Sequence, residues 1–127
     1  MFDVVLDASA VLARLRNESG GDQVAPKLRT GLLSAVNLAE IAGRLMDLGQ
    51  DERDAMQAIT LLGVSVHPLD EALAYRAAAL RPLTRHLGLS LGDRACLALA
   101  LQEGLPVMTA DRAWARLEIG VEVRLIR

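Results

Sequence analysis

Aromatic side chains are nearly missing from this chain: Phe2, Tyr75 and Trp114 make up the whole complement, 2% of the residues. The core must therefore be built from Leu, Val, Ile, Ala and Met, and stacking of bases on aromatic platforms is excluded as a main mode of any nucleic-acid binding. Lysine is as scarce. Of fourteen basic residues only Lys27 is lysine and thirteen are arginine, the better bidentate partner for phosphate, although a bias of genome composition would leave the same imbalance. The single cysteine, Cys96, excludes an intrachain disulfide. No apolar run of about 18 residues and no signal-peptide pattern occurs, so no membrane partner is expected and the reading is of a cytoplasmic protein.

What is present describes an ordinary folded domain. With 127 residues, 52% hydrophobic and 24% charged, the chain is expected to form a single domain, residues 1–127, with a real core. The formal charge of −2 suits a polyanion-handling protein poorly until four candidate site acids are set aside. Twelve acids then face fourteen bases, a balance of +2.

Strand and helix signals alternate along the chain. Short apolar runs at residues 2–6, 32–36, 64–66, 106–108 and 121–126 predict strands. Helical spacing covers 10–16 and 38–48, the latter with Leu38, Ile41, Ala42, Leu45 and Leu48 on one face and Gly49 as the stop. Asp22 is the expected cap of a second short helix, Asp51 and Asp70 begin two more, and Pro82 is expected to kink or break the helix that contains it. Ser90 starts a helix running through Gln102, and residues 112–117 form a short one. Strands separated by helices imply parallel pairing and an α/β sandwich.

Four acids, Asp7, Glu40, Asp93 and Asp111, each stand where a predicted strand ends or a helix begins. In an open parallel sheet, ligands bind beyond the carboxyl ends of the strands, so acids at several such ends are brought toward one spot. Carboxylates gathered there repel one another unless they take up protons or bind a cation, and hard oxygen ligands suit Mg²⁺ or Mn²⁺. Each acid also has a purely structural explanation. Asn37 with Glu40, and Ser90 with Asp93, have capping-box spacing; Asp111 reads equally as an N-cap and Asp7 as a strand-end turn residue. The recurrence of the pattern, with the small residues Ala8, Gly92 and Ala110 beside the acids, favours a metal site over four unrelated caps.

The blocks that carry these acids are Val4-Val-Leu-Asp7-Ala-Ser9-Ala, Ser34-Ala-Val-Asn37-Leu-Ala-Glu40, Leu89-Ser90-Leu-Gly-Asp93-Arg-Ala-Cys-Leu-Ala-Leu-Ala100 and Leu105-Pro-Val-Met-Thr109-Ala-Asp111-Arg112. In this order, over essentially the full chain, they resemble PIN-domain ribonucleases, and most of all the VapC-type toxins of toxin–antitoxin pairs. The resemblance implies a three-layer α/β/α sandwich around a mostly parallel twisted sheet, and a Mg²⁺- or Mn²⁺-dependent endoribonuclease. It further implies an RNA substrate, a cognate antitoxin partner and a homodimer. It places Asp7, Glu40, Asp93 and Asp111 at the metal with Ser9 and Thr109 as polar supports, and it implies products with a 5′-phosphate and a 3′-hydroxyl. Asn37 departs from the Ser or Thr that many relatives carry. The residue types fit that chemistry. Asp7 is the expected central ligand, Asp93 and Asp111 complete a metal site, and Glu40 holds a second ion or orients the attacking water, two ions being roughly 3.5–4 Å apart in the full form.

Other readings rest on fewer residues. His67, beside Pro68, and His86, at a helix end, would be the pair for metal-free acid–base chemistry, but both read as exposed. Ser9 lacks the glycine-flanked elbow of an α/β hydrolase, and Cys96 lies in an apolar helical run. A receiver-like phosphoacceptor domain has the right length but calls for paired acids after the first strand and a Lys near the last. A catalytically silent PIN fold that only binds is the other non-enzymatic alternative. Arg14, Arg94 and Arg112, with Arg16 and Arg116, are the candidate RNA phosphate contacts at the acidic pole, and solvated surface is the bland reading of each.

Overall fold

A computed structural model describes all residues, 1–127. Five parallel strands form one sheet in the order β3-β2-β1-β4-β5: β1 Val4–Leu6, β2 Gly31–Ser34, β3 Ser65–His67, β4 Val107–Thr109 and β5 Val123–Leu125. The three central strands are buried throughout, whereas β3 and β5 alternate between partly buried and exposed positions as edge strands do. The helices are α1 Ala8–Leu15, α2 Gly21–Val24, α3 Ala35–Asp47, α4 Glu52–Thr60, α5 Glu71–Thr84 and α6 Leu91–Glu103, with 3₁₀ turns at Ala25–Lys27, Arg85–Leu87 and Arg112–Arg116. None is long and apolar enough to cross a membrane.

Alternation of side chains along each strand divides the core in two. Val4, Leu6, Leu33 and Met108 face one side, where Val11, Ile41, Leu45 and Ile59 bring in α1, α3 and α4. Val5, Leu32 and Val107 face the other, against Leu73, Leu80, Leu97 and Leu99 of α5 and α6 and the fully buried Trp114. The expected three-layer α/β/α sandwich is therefore the observed one. Because β1 leads outward to β2 on one side and pairs with β4 on the other, the strand order reverses between β1 and β4, the crevice where ligands collect in such sheets.

Several local expectations need correction. Ser34 ends β2 and caps α3, its hydroxyl accepting from Val36 N at 3.2 Å, so the helix starts at Ala35 rather than Leu38. Asn37 is then the third helical residue and Glu40 the sixth. Glu40 lies too deep in the helix to be half of a capping box. Asp22 sits inside α2, which Gly20 precedes with no side-chain cap. α5 runs through Pro82 to Thr84 without a break. The carbonyl that Pro82 leaves unbonded belongs to Ala78, which is exposed, so water can satisfy it and the helix continues.

Candidate metal and nuclease site

All strands being parallel, their carboxyl ends share one edge, and the four acids project from elements that begin there. Asp7 follows β1 directly and is only 5% exposed. Its Oδ2 accepts two hydroxyl hydrogen bonds, from Ser9 Oγ at 2.7 Å and from Thr109 Oγ1 at 2.8 Å. Those hydroxyls are themselves held by the loop after β4: Ala110 N donates to Ser9 Oγ at 2.9 Å and Asp111 N to Thr109 Oγ1 at 3.0 Å. One connected set of bonds thus fixes Asp7 and the backbone of Asp111 across the crevice between β1 and β4. Ser9 and Thr109, read from the sequence as polar supports, are joined to Asp7 directly.

Asp93 and Glu40 close the pole from the neighbouring elements. Asp93 is in the first turn of α6, where Ser90 and Asp93 form the expected capping box, with Asp93 Oδ2 accepting from Ser90 N at 2.9 Å. Glu40 Oε1 accepts from Asn37 Nδ2 at 2.7 Å, and a Cβ added to Gly92 would run into the Glu40 carboxylate. The Glu40 carboxylate can therefore lie directly against α6 because residue 92 is glycine. Asp111 caps the Arg112–Arg116 turn through Oδ1, which accepts from Ala113 N at 3.0 Å. Capping and a site role do not compete here. Each of the four carboxylates has one oxygen held by hydrogen bonds within the protein, Asp7 Oδ2, Glu40 Oε1, Asp93 Oδ2 and Asp111 Oδ1, so capping leaves the second oxygen of each available.

The electrostatics show how closely these groups share a field. Burial pushes the Asp7 carboxyl up to about 6 despite the Ser9 and Thr109 hydrogen bonds, and the Asp93 charge adds to the rise. Burial likewise pushes the Cys96 thiol up, with further contributions from Asp7, Asp93 and Glu40. Cys96 is fully buried in α6, the helix that the Ser90–Asp93 capping box opens. None of the four takes part in a salt bridge: the ion pairs of the molecule are Arg16–Glu18, Lys27–Asp3, Arg124–Glu122 and Arg127–Glu18.

No three His, Cys, Asp or Glu side chains are drawn tightly enough together to form a ready-made metal cage. The acids line one pole without closing on a single point, as mutually repelling carboxylates would. Their chemistry nonetheless fits a hard divalent cation. A buried carboxylate with no basic partner, oriented by two hydroxyls, is the kind of oxygen donor that Mg²⁺ and Mn²⁺ take, and the bonds to the held oxygens are the outer contacts that orient such ligands.

The candidate arginines do not sit together. Arg112 is exposed and adjoins Asp111. Arg94 Nη1 donates to the Ala77 carbonyl at 3.2 Å and ties α6 to α5. Arg14 lies in the last turn of α1, seven residues or roughly 10 Å of helical rise from Asp7, and Arg16, beyond it, pairs with Glu18 at 3.2 Å. Arg116 is exposed on the turn after β4. His67, expected to be exposed, closes β3 and is half-buried, with its Nδ1 2.8 Å from the Pro68 carbonyl oxygen. Asn37 is the residue whose importance sequence reasoning missed: it is fully buried and binds both Glu40 and α6. Its signal lies in the three-residue spacing to Glu40, which suggests a cap until the true helix start is known.

Fold and side chains together define an α/β protein with a carboxylate-lined pole at the switch point of a parallel sheet. The chain belongs to the PIN domain family, whose profile matches residues 4–120. Among solved structures it is similar to DNA-bound VapBC from Salmonella typhimurium, with a TM-score of 0.78 and 16% identity over 100% of both chains. It is similar also to VapBC-5 of the VapBC toxin–antitoxin family from Mycobacterium tuberculosis (TM-score 0.60, 26% identity, 100% of this chain and 99% of that one). FitAcB from Neisseria gonorrhoeae gives a TM-score of 0.69 and 25% identity over 94% and 95% of the two chains. No curated protein matches the sequence.

Proposed function

We propose that this protein is a Mg²⁺- or Mn²⁺-dependent endoribonuclease and the toxin of a toxin–antitoxin pair, acting in the cytoplasm. The observation that carries the reading is Asp7: buried, unpaired by any base, and aimed by Ser9 and Thr109 at a pole it shares with Glu40, Asp93 and Asp111. Asp7, Asp93 and Asp111 would hold the ion through their free oxygens. Bound there, a divalent ion supplies a nucleophilic hydroxide at neutral pH and offsets charge on the phosphate. Glu40, with one oxygen pinned by Asn37, orients the attacking water through the other. Arg112, beside Asp111, meets a phosphate of the RNA. Attack by water leaves a 5′-phosphate and a 3′-hydroxyl.

The non-enzymatic alternatives have less support. A receiver-like domain has the strand order 2-1-3-4-5, whereas this sheet runs β3-β2-β1-β4-β5. A silent PIN fold would have no need to keep an unpaired carboxylate buried, which is unfavourable without a ligand. The partner follows from the same relatives. An apolar groove of about 590 Å³, lined by Leu38, Ala42, Met46, Met56, Ile59 and Val66, runs along α3, α4 and β3, and α3 also carries Glu40. An antitoxin segment seated there would cover this apolar face, which lies on the other side of α3 from the Asn37–Glu40 pair. The toxin itself is proposed to form a two-fold homodimer, which a strictly monomeric mass by light scattering at micromolar concentration would contradict. The deciding experiment is cleavage of RNA with Mg²⁺ or Mn²⁺, with EDTA, and with Asp7→Asn. Activity is expected only in the first case; cleavage that survives chelation removes the metal mechanism and returns attention to His67 and His86.

A further inference from the structure

We infer that Asn37 is a positioning residue, one that sets the Glu40 carboxylate against the Asp93 turn and so tunes both the metal affinity and the turnover of the proposed site. The inference rests on the nuclease reading above for its catalytic half and on the metal reading for the other.

Asn37 is fully buried, and its Nδ2 donates two hydrogen bonds, to Glu40 Oε1 at 2.7 Å and to the Gly92 carbonyl at 3.1 Å. Both partners are acceptors, so the orientation of the amide is set by what it binds. One nitrogen thereby connects the Glu40 side chain to the residue immediately before Asp93. A hydroxyl has a single proton and cannot serve both acceptors, and an aspartate has none to give. The bare Cα of Gly92 completes the arrangement, since any Cβ there would meet the Glu40 carboxylate. Asn37 Oδ1, by contrast, is buried with no protein donor. A group kept only to join two helices would be better replaced by an apolar side chain, because an unsatisfied buried oxygen is a liability to stability. What the amide does that no apolar residue can is hold one oxygen of Glu40 in place and leave the other free.

A double-mutant cycle separates positioning from simple packing. Asn37→Ala, Asn37→Ser and Glu40→Gln, alone and combined, would be compared by Mn²⁺ titration calorimetry, by kcat and KM on RNA at saturating Mn²⁺, and by thermal melting. Asn37→Ala is expected to weaken Mn²⁺ binding or lower kcat by ~10–100-fold, the effect typical of groups that orient ligands, with KM little changed. Asn37→Ser, which keeps one donor, recovers part of the loss and carries the cycle should the alanine variant fail to fold. In the Glu40→Gln background Asn37→Ala adds no further loss of affinity or turnover, while its effect on melting persists. Full additivity, or a folded Asn37→Ala and Asn37→Ser with wild-type affinity and turnover, overturns the inference. Wild-type protein that binds Mn²⁺ but cuts no RNA overturns the nuclease reading alone, because the affinity cycle still decides for Asn37; wild-type protein that binds no Mn²⁺ overturns both.

Discussion

Thr109 donates a 2.8 Å hydrogen bond to Asp7 across 102 residues of chain, and this bond joins the ends of the two strands that flank the switch point. Thr109 is fully buried and its hydroxyl also accepts from Asp111 N, so one side chain sets both acids. Thr109→Val keeps the shape and removes the hydroxyl. Turnover is expected to fall ~10–100-fold, with a stability loss of about 1–3 kcal/mol from the unmade bonds. Cleavage assays beside thermal melts check this, and unchanged turnover in a destabilised protein would reduce Thr109 to a structural role.

Burial raises the Asp7 carboxyl from its ordinary 3.8 to about 6, so the folded state holds that proton more tightly than the unfolded state does. Between those values stability must fall as pH rises, by up to about 3 kcal/mol for a shift of this size. Without metal, Asp7→Asn should therefore melt above the wild type at pH 7.5, and the gap should close as pH falls toward 4. Adding Mg²⁺ should raise the wild type and leave the variant where it is. Melting curves in EDTA and in Mg²⁺ across that range are the check; a gap that widens on acidification has the wrong sign.

Gly92→Ala sets helix propensity against site geometry. Alanine favours the helix by roughly 1 kcal/mol, while its Cβ displaces the Glu40 carboxylate, the movable end of a flexible side chain. The variant is expected to fold with a melting temperature no lower than wild type and to lose most of its activity. Wild-type turnover in Gly92→Ala would show that the position of Glu40 does not matter.

Met56 lines the apolar groove and is 61% exposed. Met56→Asp places a charge where an apolar partner segment would sit. Antitoxin binding measured by calorimetry should weaken at least ~10-fold, about 1.4 kcal/mol or more, with RNA cleavage by the free protein unaltered. Equal affinity for both proteins would move the antitoxin to another surface.

The five strands, the two-sided core and the four acids are legible in the amino-acid sequence because each leaves a local mark: an apolar run, a helical period, an acid at a boundary. What escapes is the depth of residues along their elements. Starting α3 at Ala35 instead of Leu38 turns Glu40 from a cap into a second-turn residue and Asn37 into its clamp. Arg14 belongs to the right helix but, since that helix runs back from the pole, lies at its far end. The Arg94 bond to Ala77 and the solvation of the Ala78 carbonyl opposite Pro82 depend on how helices pack, which no single stretch of sequence records.

The sheet also orders events in time. β1 emerges first during synthesis, yet one of its neighbours is β4, made about a hundred residues later. Contacts so distant in sequence form late, after local helices and the nearer β1–β2 pairing. Asp7 is fully aimed only when Thr109 has joined Ser9 on its carboxylate, so a ribosome-bound fragment carries up to three of the acids without the complete geometry. A chain broken off anywhere before β4 should be inert, and under the proposed ribonuclease activity that delay would keep the unfinished molecule harmless to the ribosome making it.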